Sequence, residues 1–297
     1  MTSSRIAPTP SGYLHIGNIY SFVITWLLVR KEQGSLSLRI DDLDQQRARK
    51  AYIDDIFETL SFMGIDYDTG PAGPNEFFER YSQQLRINFY NQLIDQLIET
   101  GLVYACTCSR KTIHLRSQGR IYNGACLNKK LPLDTLGACL RIHVPSATVI
   151  NFQDELIGNQ QINLSRAMGD FVIKRKEGTP AYQVASLADD EFYGINYIVR
   201  GQDLVYSTAA QLYLAGLAGN RNFLESRFYH HQVINGESGA KLSKSSGSQS
   251  IKTLRSWGLQ PADILQIISK SLPVTPFQTN DYNIYDLLKG INTRQFS

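Results

Sequence analysis

Pro8-Thr9-Pro10-Ser11-Gly12-Tyr13-Leu14-His15-Ile16-Gly17 is the stretch on which the fold turns. Its two prolines stiffen a turn. Gly12 and Gly17 let backbone come close to a bound group, and Gly17 opens a helix whose N-terminus favours phosphate. His15 falls where it can donate a hydrogen bond to charge developing on an α-phosphate. The glycine spacing imitates a P-loop, but no Lys-Ser/Thr follows Gly17, which excludes that motif. Upstream, residues 5–7 read as a short strand. Downstream, an apolar helix runs from about Ile19 and closes near Gly34, and Leu36, Leu38 and Ile40 then alternate with polar neighbours. Strand, turn, helix and strand in this order predict a parallel pair with a right-handed crossover, and hence an α/β fold.

Working outward, residues 52–63 and 77–100 read as helices stopped by Gly64 and Gly101. Residues 103–167 read as short strands and turns that interrupt this pattern, so they are expected to be an insertion. Alternation resumes after Gly169, with strands at 171–174 and 197–200 and helices from Tyr182 and around Gln211. Two short helical stretches are expected after Ser250. The predicted organisation is a catalytic first half (1–102), an inserted subdomain (103–167), a second catalytic half (168–249) and a helical C-terminal segment (250–297).

Composition excludes several classes. With 42% hydrophobic and 19% charged residues, the chain is neither disordered nor fibrous. Its longest apolar run, 19–29, is broken by Ser21 and Thr25 and is too short to span a bilayer. No cleavage-site pattern follows it, so a cytoplasmic protein with one buried helix is expected. The net charge of +3 discriminates little. Its distribution says more: Arg110, Lys111, Arg116, Arg120, Lys129 and Lys130 fall between Cys106 and Pro132 with no acidic residue among them. Such a run either tracks phosphates or is a solvated loop.

Two further motifs carry chemistry. Lys241-Leu242-Ser243-Lys244-Ser245 places two lysines three apart in a Ser/Gly-rich loop. That suits a clamp on a triphosphate, closing as charge moves to pyrophosphate, although a plain linker has the same composition. Three of the four cysteines lie between Cys106 and Cys126. Clustering without a secretory signal points to metal rather than disulfides. Cys106, Cys108 and Cys126 with Tyr122 would complete a four-ligand Zn²⁺ site, with His114 the competing fourth ligand and buried reduced thiols the alternative.

The two nucleotide motifs, in this order, resemble the HIGH and KMSKS signatures of class I aminoacyl-tRNA synthetases. Arg39-Ile40-Asp41-Asp42-Leu43-Asp44, Gly169-Asp170-Phe171-Val172-Ile173, Ala181-Tyr182-Gln183, Asp189-Asp190 and Val199-Arg200-Gly201-Gln202-Asp203-Leu204 look like the glutamyl-tRNA synthetase catalytic domain. Cys-x-Cys…Tyr-x-x-x-Cys is similar to the zinc site of the glutamyl-queuosine tRNA(Asp) synthetase family, a shortened paralogue. Here the gap from Cys108 to Tyr122 is slightly longer than in that family. About fifty residues follow the lysine motif, too few for an anticodon-binding region, so none is expected.

The resemblance implies a Rossmann-like catalytic domain with an inserted zinc-binding subdomain. It implies ATP and Mg²⁺ as reactants, one structural Zn²⁺, and glutamate and a queuosine-containing tRNA(Asp) as partners of a monomer. By the same resemblance His15, Lys241 and Lys244 would be catalytic. His15, Gly17, Asn18 and Lys244 would bind ATP. Arg5, Ile6, Ala7, Pro8, Thr9, Asp41, Tyr182 and Arg200 would bind glutamate. Asp41 departs from the family, which has Glu there to meet the amino group of the amino acid; Asp keeps the charge and is one methylene shorter. The implied reaction is glutamyl-adenylate formation and transfer to the queuosine base at the wobble position. Charging the 3′ end of tRNA(Glu), and a non-catalytic RNA-binding role, are the alternatives. A small-molecule nucleotidyltransferase fits less well, because it would lack the Val-Arg-Gly-x-Asp-Leu segment and the cysteine insert.

Overall fold

In the computed structural model the strands, in chain order, are β1 (Ser3–Ile6), β2 (Ser35–Leu38), β3 (Val103–Cys106), β4 (Cys139–Ile142), β5 (Val149–Asp154), β6 (Gly158–Asn163), β7 (Phe171–Lys174), β8 (Tyr197–Gly201) and β9 (Arg227–His231). The longer helices are α1 (Ile16–Lys31), α2 (Lys50–Met63), α3 (Ile87–Glu99), α4 (Tyr182–Phe192) and α5 (Val205–Ala218). The structure describes residues 1–116, 121–122, 124–234, 249–269, 272 and 283–289. Lys241, Lys244 and Arg120 lie outside them. The chain divides into two units, one of residues 1–85, 197–202 and 227–297, the other of residues 86–196 and 203–226.

In the first unit β1 and β2 pair in parallel with α1 between them in sequence, as the alternation predicts. The helix begins at Ile16, three residues earlier than its apolar run suggests, because the Asn18 side chain accepts the His15 N–H (3.0 Å) and caps the first turn. From Phe22 to Val29 every residue of α1 is buried, which explains a run with almost no polar face. β8 and β9 form a second parallel pair. Ser4 Oγ bonds to Tyr197 O at 2.7 Å, and this ties β1 to β8. Helix α2 ends on Gly64 in the left-handed conformation, the cap its sequence announces. Three helices follow Ser250 among the described residues, not two: Ile251–Ser256, Pro261–Ser269 and Ile284–Lys289.

One expected helix is broken. Residues 77–100 form a π-helical turn (Phe77–Tyr81), an extended residue at Ser82, a 3-10 turn (Gln83–Arg86) and only then α3. The cause lies forty residues upstream. The buried carboxylate of Asp42 accepts Ser82 Oγ (2.6 Å) and the Gln83 N–H (2.7 Å), holding Ser82 out of the helical ladder.

In the second unit β3, β4 and β7 form an antiparallel sheet in that order, with Cys106 opposite Cys139. β5 and β6 form a hairpin whose turn is held by Asp154, which accepts the N–H groups of Leu156 and Ile157. Strands of the 103–167 segment thus sit in one unit with α3 before them and with α4 and α5 after them. Gly169 has φ +58°, and a side chain there would collide with Ile121. Only glycine fits the turn that presents Asp170. No helix among the described residues is long and apolar enough to cross a membrane.

Candidate active site

In the first unit the expected ligand-binding residues converge at the C-terminal ends of parallel strands, where open α/β sheets bind ligands. Beyond β1 and β2 the two chains stay paired: the Arg39 N–H bonds to Ile6 O and the Asp41 N–H to Pro8 O, both at 2.9 Å. Residues 6–9 and 39–42 therefore form one continuous ledge. Arg5 is buried below it, with Nη1 3.3 Å from Val199 O. Arg200 follows on β8 and is 4% exposed, a burial that demands compensation for its charge. These contacts bring Arg5, Ile6, Ala7, Pro8, Thr9, Asp41 and Arg200 into the same unit. Tyr182 opens α4 in the second unit.

His15 is the residue just before α1, with Gly17 and Asn18 in the first turn. The backbone on either side of it is held from the far end of the chain. The Ile251 N–H bonds to Leu14 O at 2.7 Å, and His15 forms an isolated antiparallel bridge with Ser250. Ser250 itself caps the next helix by accepting the Thr253 N–H (3.1 Å). The segment that follows the lysine motif is thus attached to the histidine turn. The sequence marks Ser250 only as the boundary before the C-terminal helices; a serine directly before the apolar Ile251 is also a capping signal.

Asp41 is not an isolated carboxylate. Arg39 donates to it twice, Nε to Oδ1 at 2.7 Å and Nη2 to Oδ2 at 3.1 Å, in a buried bidentate pair. Residues two apart in an extended segment share a face, so Arg39 could have been read from the sequence as its partner. The shorter side chain thus rests against a guanidinium two residues before it.

In the second unit the Sγ atoms of Cys106, Cys108 and Cys126 lie within 4.8 Å of one another. Sulfurs about 3.8 Å apart are what tetrahedral Zn–S bonds of about 2.3 Å require, so the trio fits a zinc ion. Tyr122 OH lies 3.4 Å from Cys106 Sγ and accepts the Cys126 N–H at 2.8 Å, which sets its oxygen beside the trio. Burial, followed by the hydrogen bond to Cys106, pushes the Tyr122 phenol up, so it is a neutral donor in the absence of a metal charge. Burial alone would raise the Cys126 thiol as well. Hydrogen bonds from Tyr122 and Cys108 outweigh it and bring this thiol down to about 7. His114 is exposed on the helix Arg110–Arg116 and is not among the clustered ligands.

Parallel strands with a histidine turn leading into the first helix are what a ligand-binding α/β domain presents, and a cysteine trio lies in the second unit. Residues 1–280 match the family of class I tRNA synthetases (E and Q), catalytic domain, and the chain belongs to that family. It is 39% identical over 241 residues to a glutamyl-Q tRNA(Asp) synthetase of Pseudomonas putida (strain W619), covering 81% of this chain and 76% of that protein. It is 34% identical over 278 residues to glutamate–tRNA ligase 2 of Syntrophus aciditrophicus (strain SB), covering 89% of this chain but only 56% of that one. Among solved structures, a glutamate–tRNA synthetase from Elizabethkingia anophelis superposes with a TM-score of 0.80 at 21% identity, over 99% of this chain and 66% of its own, which establishes the shared fold.

Proposed function

We propose that this chain activates glutamate with ATP as glutamyl-adenylate and transfers the glutamyl group to the queuosine base at the wobble position of tRNA(Asp). The observation that carries the reading is the ledge of residues 6–9 and 39–42, in one unit with the buried Arg5 and Arg200 of β1 and β8 and with His15 at the N-terminus of α1. Such a place can take a carboxylate-bearing substrate on guanidinium groups and present an α-phosphate to a helix N-terminus. The glutamate carboxylate attacks the α-phosphorus and pyrophosphate leaves. His15, Lys241 and Lys244 stabilise the transferred charge, with Mg²⁺ on the phosphates. Gly17 and Asn18 line the ATP side; Asp41 and Tyr182 meet the amino acid. A hydroxyl of the queuosine ring then attacks the activated carbonyl and AMP leaves. The likeness to the P. putida protein supports the wobble-base acceptor. Incubation with labelled glutamate and ATP tests it: queuosine-containing tRNA(Asp) should be labelled and unmodified tRNA(Asp) should not. Equal labelling of both removes the reading.

The similarity to glutamate–tRNA ligase 2 favours a second reading, esterification of the 3′ end of tRNA(Glu). Trimming the 3′-terminal adenosine from the RNA separates the two, because it removes the hydroxyls that a 3′-end reaction needs and leaves the wobble base intact. In the same proposal the chain acts as a cytoplasmic monomer, residues 103–167 form an inserted subdomain, and Cys106, Cys108, Cys126 and Tyr122 hold one structural Zn²⁺. Purified protein should then carry about one zinc per chain, and Cys126→Ser should lose most of it. Full zinc content in that variant would exclude the assignment.

A further inference from the structure

A cavity of about 360 Å³ opens in the second unit between the start of β3 and the segment around residues 127–133. Leu102, Leu127, Leu131 and Leu133 supply apolar walls, while His143 and Lys130 supply the nitrogens. The histidine is held in one orientation. Its Nδ1 lies 3.0 Å from Asp170 Oδ1, and because a carboxylate can only accept, Nδ1 carries the proton. Asp170 is itself fixed by the Val144 N–H (2.8 Å), the Tyr104 hydroxyl (2.6 Å) and, through its carbonyl, Arg141 Nη1 (2.8 Å). With the proton on Nδ1, the lone pair is on Nε2, and His143 lines the cavity. Lys130 sits at φ +49°, a left-handed conformation that a non-glycine residue adopts at a local energy cost. It belongs to the run of basic residues with no acid between Cys106 and Pro132.

We propose that this cavity receives one unstacked nucleotide of the RNA substrate. Its base would lie between the leucines, with a base-edge N–H donated to His143 Nε2 and the adjoining phosphate on Lys130. The inference rests on the reading that an RNA is the substrate. The volume is at the small end of ligand pockets, roughly 300–1,000 Å³, which suits one nucleotide and excludes a duplex. A slot whose lining is half apolar and half polar, with an oriented histidine and a lysine among its residues, offers what an extruded base and its phosphate require. Every base carries an N–H on its pairing edge, so the pocket would favour single strands without strong sequence preference.

The test uses the full chain with a labelled RNA hairpin bearing an open single-stranded loop and a blunt RNA duplex of equal length. Leu133→Trp fills the cavity from a residue already 38% exposed, so it spares the core. His143→Ala removes the acceptor but leaves Asp170 its other donors. Each should weaken hairpin binding about tenfold and leave duplex binding unchanged. Lys130→Asn keeps a residue that tolerates the left-handed backbone; it should weaken both RNAs and lower the salt slope by about one. Wild-type protein that binds hairpin and duplex equally overturns the proposal, and so do Leu133→Trp and His143→Ala proteins with wild-type hairpin affinity. Equal losses on both RNAs from Leu133→Trp or His143→Ala would make the site a phosphate patch and also overturn it. Glutamate transfer measured in parallel keeps the two readings apart. The predicted binding pattern without transfer leaves the pocket and removes the function; transfer at wild-type KM for tRNA in both variants does the reverse.

Discussion

Replacing His15 with alanine is expected to slow glutamate-dependent formation of AMP and pyrophosphate by about a hundredfold to a thousandfold, with stability changed by less than about 1 kcal/mol. The two effects separate because alanine keeps one half of the cap of α1, the His15 N–H donated to the Asn18 side chain, and loses only the half made by the His15 side chain. The turn is also held through Leu14 O and Ile251, which the substitution leaves in place. Asn18→Ala is the matching control: it removes the cap, and should cost about 1 kcal/mol in urea unfolding. A His15→Ala enzyme with wild-type kcat would mean that the imidazole does not meet the reacting phosphate.

Asp189→Ala should have the opposite profile, with a large loss of stability. Asp189 is fully buried, accepts Arg86 Nε at 2.8 Å and Nη2 at 3.2 Å, and accepts the Tyr90 hydroxyl at 2.8 Å. The pair pins α4 to the start of α3 within the second unit. Alanine strands a guanidinium in a low-dielectric site, and breaking a buried pair in this way costs about 3–5 kcal/mol. Desolvation works against the Arg86 charge, and the hydrogen bonds to Asp189 more than compensate, so its pKa rises and the cation persists. Urea unfolding of the variant measures the loss. Arg86→Met combined with Asp189→Leu should recover much of it, because an apolar pair needs no counter-charge. A single variant within about 1 kcal/mol of wild type would show that water replaces the carboxylate.

Which features could be read from the sequence follows from the range of the forces involved. The unit of β1, α1 and β2 was legible because apolar spacing, Gly34 and the prolines act within a few residues. The Gly64 cap was legible for the same reason. The break at Ser82 was not, since it depends on Asp42, which lies forty residues away and becomes a neighbour only after folding. The cysteine trio was visible as spacing, and the structure brings its sulfurs together. The environment of Asp170 was hidden, because its partners come from β3, β4 and the chain just after β4. Asp41 stood out as a departure from the resembled family; what the structure adds is Arg39, which occupies both of its oxygens.

Acyl activation is the claim on which the rest depends. The most direct measurement is the fate of α-labelled ATP incubated with the chain, glutamate, Mg²⁺ and queuosine-containing tRNA(Asp). The account predicts labelled AMP, with an equal amount of unlabelled pyrophosphate, dependent on glutamate and not supported by aspartate or glutamine. Release of ADP and phosphate, or AMP formation independent of glutamate, would contradict it.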